Sequence, residues 1–524
     1  MLREVLLIAT AAVYIITSLM LFVFGLNLIA FSLRVWRRGI KPVVSAKRQP
    51  DADLPMVTVQ LPIYNELYVS ERIIEAAANF DYPADRFEIQ VLDDSTDETS
   101  LMISRAVAAA QKRGINIVHI RREDRAGYKA GALAEGTKVA TGEFIAIFDA
   151  DFVPQRDFLR RILPHFDADD VAFVQARWGH VNRDYSWLTR LQALAIDGHF
   201  LVEQSGRGEA GYWFNFNGTA GVWRATAIEA AGGWKADTLT EDLDLSYRAH
   251  LAGWTARYVE ELVVPAEVPA QLTGFRRQQH RWARGSLECA YRLLPQVWRT
   301  KASLMTRVQA SLHLCAYFIQ LLLMMLLVIY PLVVIASMEY PRFSTIFGIG
   351  YIFATASIAP TVFFITGSRQ GGRSWVRDFP QVVIVTIFGA GLMVNTARAA
   401  LQIFTQRNPS FERTAKFGLD TSSAPSSTGR SWKLKRYQLA PDRIVIAELL
   451  LGAYAVFAAL LAVRNENWGV FIYATIFALG LFAVATATLS HSWTLFRARR
   501  ERAFAMRVEA ELLAKPEGER VVRS

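Results

Sequence analysis

The run Glu143-Phe144-Ile145-Ala146-Ile147-Phe148 leads straight into Asp149-Ala150-Asp151-Phe152. A continuous apolar run of this kind, with no polar alternation, suits a strand buried on both faces of a sheet. Acids at i and i+2 after it point the same way if the chain stays extended. Outward from this stretch, Met56–Leu61, Phe87–Leu92, Ile115–Ile120 and Val171–Gln175 are further short apolar or β-rich runs. Helix-like stretches separate them at Ser70–Asn79, Glu98–Arg113 and Lys129–Val139. This alternation predicts a doubly wound α/β domain over residues 50–300, with a largely parallel sheet. Ligands of such sheets bind at the carboxyl ends of the strands, where the paired acids fall.

The flanking sequence is different in kind. The 524 residues are 52% hydrophobic, and the excess is gathered in long uncharged runs. Part of the chain therefore belongs in lipid, which excludes a purely cytosolic enzyme, a disordered chain or a fibrous repeat. Having only two cysteines, Cys289 and Cys315, excludes a disulfide scaffold and a multi-cysteine zinc site. The net charge of +10 makes no case for nucleic acid, because the Lys and Arg of a membrane protein gather in its cytoplasmic loops. Val5–Leu33 carries no charge and is followed by Arg34, Arg37, Arg38 and Lys41. Residues 1–34 thus read as a spanning helix with its N-terminus outside. Further spans are expected at 310–338, 343–367, 444–463 and 468–495, before a basic cytoplasmic tail at 497–524. Gln381–Val394 is short and basic on both flanks, so residues 380–404 read as re-entrant or interfacial. Glu448 lies inside a span and should face the protein interior or a pore. Ser422–Gly429 reads as a flexible linker. The expected location is an integral, multi-pass membrane protein, in the plasma (inner) membrane if the host is bacterial, with the α/β domain cytoplasmic.

Several motifs fall at the strand ends. Leu61-Pro62-Ile63-Tyr64-Asn65-Glu66 closes the first strand, where a tyrosine and a carboxylate could hold a nucleotide base. An ordinary strand-to-helix turn would read the same way. Asp93-Asp94 closes the second, with one acid available to cap a helix and the other to bind ligand. Asp149 and Asp151 suit a hard cation that keeps waters and bridges phosphates, Mg²⁺ or Mn²⁺. Lys129, in Gly127-Tyr128-Lys129-Ala130-Gly131, is placed either to approach a diphosphate or to sit solvated in a glycine-rich turn. No G-x-x-x-x-G-K-[ST] occurs, so a P-loop reading loses support. Leu239-Thr240-Glu241-Asp242 is an acidic helix start, which the helix dipole alone would favour. Gln278, Arg281 and Trp282 share one face of a helix near 272–294. Their amide, guanidinium and indole suit a sugar ring and a phosphate, and the helix also suits the membrane surface.

The order Asp93-Asp94, D-A-D, T-E-D, Q-Q-H-R-W, then spanning helices resembles the processive glycosyltransferases of family 2, which include cellulose, chitin and hyaluronan synthases. Longer blocks are similar to the plant cellulose-synthase-like A and C enzymes, which make mannan, glucomannan and the glucan backbone of xyloglucan. These are Arg125–Leu133, Phe148–Phe152, Val174–Trp178, Phe216–Arg224 and Phe411–Gly418. The resemblance implies a GT-A domain inserted in a helical transmembrane region. It implies Asp242 as general base, with Glu241 beside it at the catalytic centre. Asp149 and Asp151 would hold the metal, and Asp149 also the donor diphosphate. Tyr64, Glu66 and Asp94 would contact base and ribose, and Lys129, Gln278 and Arg281 the rest of the donor. Trp282 would form an acceptor platform, with Asn217 and Gly218 on the acceptor side. Residues 405–420 would be a gating-type loop whose Thr414 and Lys416 close over the donor. Arg413 stands where cellulose synthases usually have Val.

The implied activity is an inverting hexosyl transfer that builds a β-linked polysaccharide and translocates it. The donor would be GDP-mannose or UDP-glucose, and the acceptor a growing polysaccharide or a lipid. No regulatory cyclic-dinucleotide pattern follows. The main alternative is a non-processive membrane enzyme that makes a glycolipid. A transporter or binding protein with a degenerate domain is disfavoured by the intact acids.

Overall fold

The computed structural model describes residues 2–40, 50–339, 354–405, 413–419, 436–437, 439 and 442–514. The expected apolar runs become β1 (Val57–Ile63), β2 (Phe87–Asp93), β3 (Ile117–Arg121), β4 (Phe144–Ile147) and β5 (Val171–His180). Two strands were not legible as such, β6 (Gly221–Arg224) and β7 (Thr255–Ala266). The first has only four residues, and the second interleaves Arg257, Glu260 and Glu261 with its apolar positions. Among the described residues the sheet order is β3-β2-β1-β4-β6-β5-β7.

β1 runs parallel to β2 and β4, and β2 to β3. β6 is antiparallel to both β4 and β5. β5 is parallel to β7, so four of the six pairings among the described residues are parallel, and the sheet is largely parallel with β6 inserted antiparallel. Val57, Val59 and Leu61 of the central β1 are wholly buried, because a strand flanked on both edges and covered on both faces meets no water. Helices Ser70–Ala78 and Thr99–Lys112 follow β1 and β2, which leaves the carboxyl ends of these strands open to a ligand.

The D-A-D acids are not on an extended strand. β4 ends at Ile147, and the Phe152 amide donates to the Asp149 carbonyl at 3.1 Å, so the pair sits on a turn. Its pairing with β1 and β6 ends at Ile147, and the chain bends into the cavity described below.

Among the described residues, five helices are long and apolar enough to cross a membrane: Glu4–Arg38, Phe318–Glu339, Trp375–Thr405, Val445–Arg464 and Trp468–Arg497. The expected span 343–367 lies partly outside the described residues, and its described remainder includes helix Ala359–Gln370. Phe411, Glu412, the Ser422–Gly429 linker and the tail beyond 514 also lie outside them. The amphipathic helix expected near 272–294 runs from Leu272 to Arg299 and packs against Met393–Thr405. Gly198 and Gly367 meet where helix Trp187–Gly198 of the α/β domain touches Ala359–Gln370. A Cβ on Gly367 would lie 3.1 Å from the Gly198 Cα. Glu448 is completely buried and ion-paired to Arg276 of the interface helix at 2.5 Å.

Candidate active site

Tyr64, Glu66, Asp94, Lys129, Asp149 and Asp151 line one cavity together with Asn217, Gly218, Glu241, Asp242, Gln278, Arg281, Trp282, Thr414 and Lys416. The fold thus brings together residues spread over some 350 positions of sequence. It does so because β1, β2 and β4 all end at this edge, while the interface helix and segment 413–419 cover it.

The adjacent acids after β2 separate cleanly in role. Asp93 is buried, accepts the Ser95 amide at 2.8 Å and pairs with His119 Nε2 at 2.9 Å. Burial works against its charge, but these partners hold its carboxyl below the usual range. Asp94 instead faces the cavity and is gripped through both oxygens by Arg122, at 2.9 and 2.5 Å. Tyr64 also lines the cavity, and the Arg125 guanidinium lies 3.4 Å from its ring centroid. The ring face expected to stack on a base thus carries a cation here. Glu66 lies 3.0 Å from Arg413, and its Oε2 has no hydrogen-bond partner among the described residues. Burial pushes its carboxyl up to about 8, against the pull of Arg413.

The two D-A-D carboxylates each face a lysine. Lys129 Nζ donates to Asp149 Oδ1 at 2.5 Å and to the Gly218 carbonyl at 2.8 Å. Lys416 Nζ donates to Asp151 Oδ2 at 2.6 Å. Burial opposes the Lys129 charge, but Asp149, Glu241 and Asp242 outweigh it and hold the ammonium above its usual value. Among the described residues, no three His, Cys, Asp or Glu side chains converge as a metal cage. Each of the two carboxylates is held by an ammonium, so a divalent ion on this pair would have to displace Lys129 from Asp149 and Lys416 from Asp151.

Asp242 opens helix Glu241–Leu251 and accepts its neighbour's amide, Leu243 N, at 2.9 Å. Burial first, then the Glu241 carboxylate, push its carboxyl up to about 7, while Lys129 pulls it back. Gly218 sits at φ +79° with its absent Cβ aimed 3.0 Å from Asp242 Oδ2, so only glycine leaves that oxygen clear. Asn217 takes its place through the Gln175 side chain, which accepts the Asn217 amide at 2.8 Å.

The interface helix positions the T-E-D turn from the other side. The Leu239 amide donates to Glu288 Oε2 at 3.0 Å, and a Cβ on Gly285 would strike Thr240 N at 2.7 Å. Arg281 is half-buried on this helix. Burial holds its guanidinium below the usual value, while Glu241, Asp149 and Asp242 draw it up.

Sequence reasoning missed Arg122, Trp178, His180 and Glu267, which also contribute to this region. Trp178 lay in a block already noticed, and Arg122 had no motif to mark it. A second cavity of about 440 Å³ adjoins the first. Asp242, Asn217, Gln278 and Trp282 line both, and Tyr317, Gln320 and Phe388 continue the second toward the membrane helices.

Residues 55–285 match the family described as Glycosyltransferase like family 2. The chain is 44% identical over 270 residues to glucomannan 4-beta-mannosyltransferase 2 of Arabidopsis thaliana, covering 51% of each chain. It is 45% identical over 252 residues to glucomannan 4-beta-mannosyltransferase 1 of Oryza sativa subsp. japonica, covering 47% of this chain and 48% of the other. The matched part thus spans about half the length of these relatives. Among solved structures, a mannosyltransferase of Pyrobaculum calidifontis in complex with GDP-Man and Mn²⁺ is 20% identical, with a TM-score of 0.49, over 76% of this chain and 99% of the other.

Proposed function

We propose that this protein is a membrane-embedded inverting glycosyltransferase that polymerises a β-linked mannan- or glucomannan-type polysaccharide from a sugar nucleotide. The supporting observation is the position of Asp242 at the junction of two cavities. One holds the acids and lysines suited to a sugar nucleotide, and the other leads toward the membrane helices. The names of the plant relatives support a mannosyl donor, GDP-mannose, over UDP-glucose.

In this reading the Asp242 carboxylate takes the proton from an acceptor hydroxyl, and that oxygen attacks the anomeric carbon as the nucleoside diphosphate departs. One base and no enzyme nucleophile gives inversion, so an α-linked donor yields a β-linkage. Lys129 and Arg281 offset the charge that develops on the leaving group. Asp149 and Asp151 would hold Mg²⁺ or Mn²⁺, whose contribution is to neutralise the diphosphate. Trp282 holds the acceptor end, because an indole face stacks on a sugar ring without fixing its rotation. Residues 413–419 close over the donor and exclude water. The aromatic and amide lining of the second cavity offers the growing chain a path into the membrane region.

Purified full-length protein should be supplied with labelled GDP-mannose and UDP-glucose, each with and without Mn²⁺. The expected product is a long polymer, cut by a β-mannanase, formed from GDP-mannose. Trp282→Ala should stop elongation more than donor hydrolysis. A product consisting of a lipid bearing one or two sugars would replace this reading with the glycolipid one.

A further inference from the structure

Residues 413–419 divide into two halves by what they touch. Arg413, Thr414 and Lys416 face the cavity, at Glu66 and Asp151. Phe417, Gly418 and Leu419 face away from it. Phe417 is completely buried with Ala270, Ala415, Leu419 and Leu495. Gly418 has φ +61°, and a Cβ there would strike the Tyr68 carbonyl oxygen at 2.7 Å. A side chain at this position would therefore unseat the segment.

One acid fastens the second half. Glu267 follows the last residue of β7 and is 1% exposed. Its Oε1 accepts the Phe417 amide at 2.8 Å and its Oε2 accepts the Leu419 amide at 3.1 Å. Its own carbonyl accepts Lys416 Nζ at 2.5 Å, the same ammonium that reaches Asp151. Both carboxylate oxygens and the backbone oxygen of one residue are thus spent on a segment about 150 positions later in the sequence. No motif of the family reading used this residue.

The energetic argument is asymmetric. A carboxylate buried to this degree needs donors, and the donors here are backbone amides that the segment itself cannot satisfy. Hydrogen bonds to a charged acceptor are about twice as strong as neutral ones. Each partner therefore loses when the segment lifts: the two amides lose their acceptor, and Glu267 keeps its charge in an apolar setting. That coupling favours one seated position over a range of half-closed ones.

We propose that Glu267 is the latch that seats segment 413–419 over the sugar-nucleotide site, a positioning residue that acts through the backbone of Phe417 and Leu419. The proposal rests on the reading of that segment as the loop that closes over the donor. Glu267 then sets how fully Thr414 and Lys416 are presented to the diphosphate, without itself belonging to the reacting groups.

The test uses full-length protein in lipid nanodiscs, with Ala415→Cys in a Cys315→Ser background. Ala415 is buried in the seated segment, so maleimide labelling of its cysteine reports lifting without donor or product. Glu267→Gln keeps the shape and removes one amide acceptor. It should speed labelling at least about 10-fold, the worth of one hydrogen bond to a charged group, and raise the donor KM by a similar factor. The acceptor KM should not move. Glu267→Asp should fall between the two. Phe417→Ala, which removes the plug and leaves the latch, should also speed labelling.

Unchanged labelling in Glu267→Gln overturns the proposal. Faster labelling with an unchanged donor KM overturns it too, since Glu267 would then be a packing contact with no bearing on the donor. Neither result touches the polymerase reading, which fails separately if no sugar nucleotide yields polymer.

Discussion

In the proposed reading Asp242 is the base, and its surroundings set the pH at which it can act. Burial and Glu241 place its carboxyl near 7, where a base is efficient at neutral pH. Transfer requires the carboxylate form. The rate should therefore be flat above about 7 and fall about tenfold per pH unit below it, as a pH profile of turnover with saturating donor would show. Asp242→Asn keeps the shape and the bond from Leu243, but removes the base. Its turnover should drop at least ~10²-fold at every pH, while nucleotide binding by calorimetry stays near that of the unchanged protein. Near-normal turnover in this variant would sink the assignment. The T-E-D acids were legible in the sequence, but the raised carboxyl was not. It depends on burial beneath Gly218 and the interface helix, residues remote in the chain.

At the scale of elements, the interface helix is where the catalytic and membrane parts are joined. Arg276 lies two positions before Gln278, and three membrane-region helices converge on it. Its guanidinium binds Glu448 at 3.2 and 2.5 Å and Thr488 Oγ1 at 2.7 Å, and its carbonyl accepts Asn395 Nδ2 at 3.0 Å. Glu448 was expected to face the interior because a charge in a span is costly. Removing one partner of a buried pair strands the other, at about 3–5 kcal/mol. Glu448→Ala should therefore lower the thermal unfolding midpoint and the folded yield. Replacing both residues, Arg276→Met with Glu448→Leu, should recover most of that loss, because apolar packing can substitute for a buried pair. A double variant as unstable as the single one would show that the pair does more than satisfy its own charges.

For the whole molecule, the course of segment 375–405 fixes which side of the membrane each flank occupies. By length and composition it is a candidate span, although its basic flanks argue for a re-entrant course. The chain enters it from Arg373, which binds Asp197 of the α/β domain at 2.9 Å. It leaves toward residues 413–419, whose Lys416 binds Asp151 of the same domain. Both flanks are thus held by one domain, which cannot lie on two sides of a bilayer. Reporter fusions after Glu339 and Asn465 should be external, and one near Ser423 should lie on the side of the α/β domain. An external signal near Ser423 would show that the segment crosses.

Local sequence determined much of this protein. An unbroken apolar run specifies β4, because a strand covered on both faces favours apolar side chains, whereas β1 and β2 bury Thr58, Gln60 and Gln90 among theirs. Uncharged runs of span length specify membrane helices, because lipid leaves no alternative partner for a charge. The acids at strand ends and the Gln278, Arg281, Trp282 face were readable because chemistry restricts which residue types can serve. Tertiary structure decided what depends on distant neighbours. β6 and β7 form strands because their neighbours supply hydrogen bonds, although one is short and the other carries charges. Asp93 became structural and Asp94 faced the cavity because His119 and Arg122 stand where they do. Glu267, with no motif around it, acquired its partners only when segment 413–419 folded back onto it. A hydrogen bond between residues so far apart leaves no trace in either local sequence.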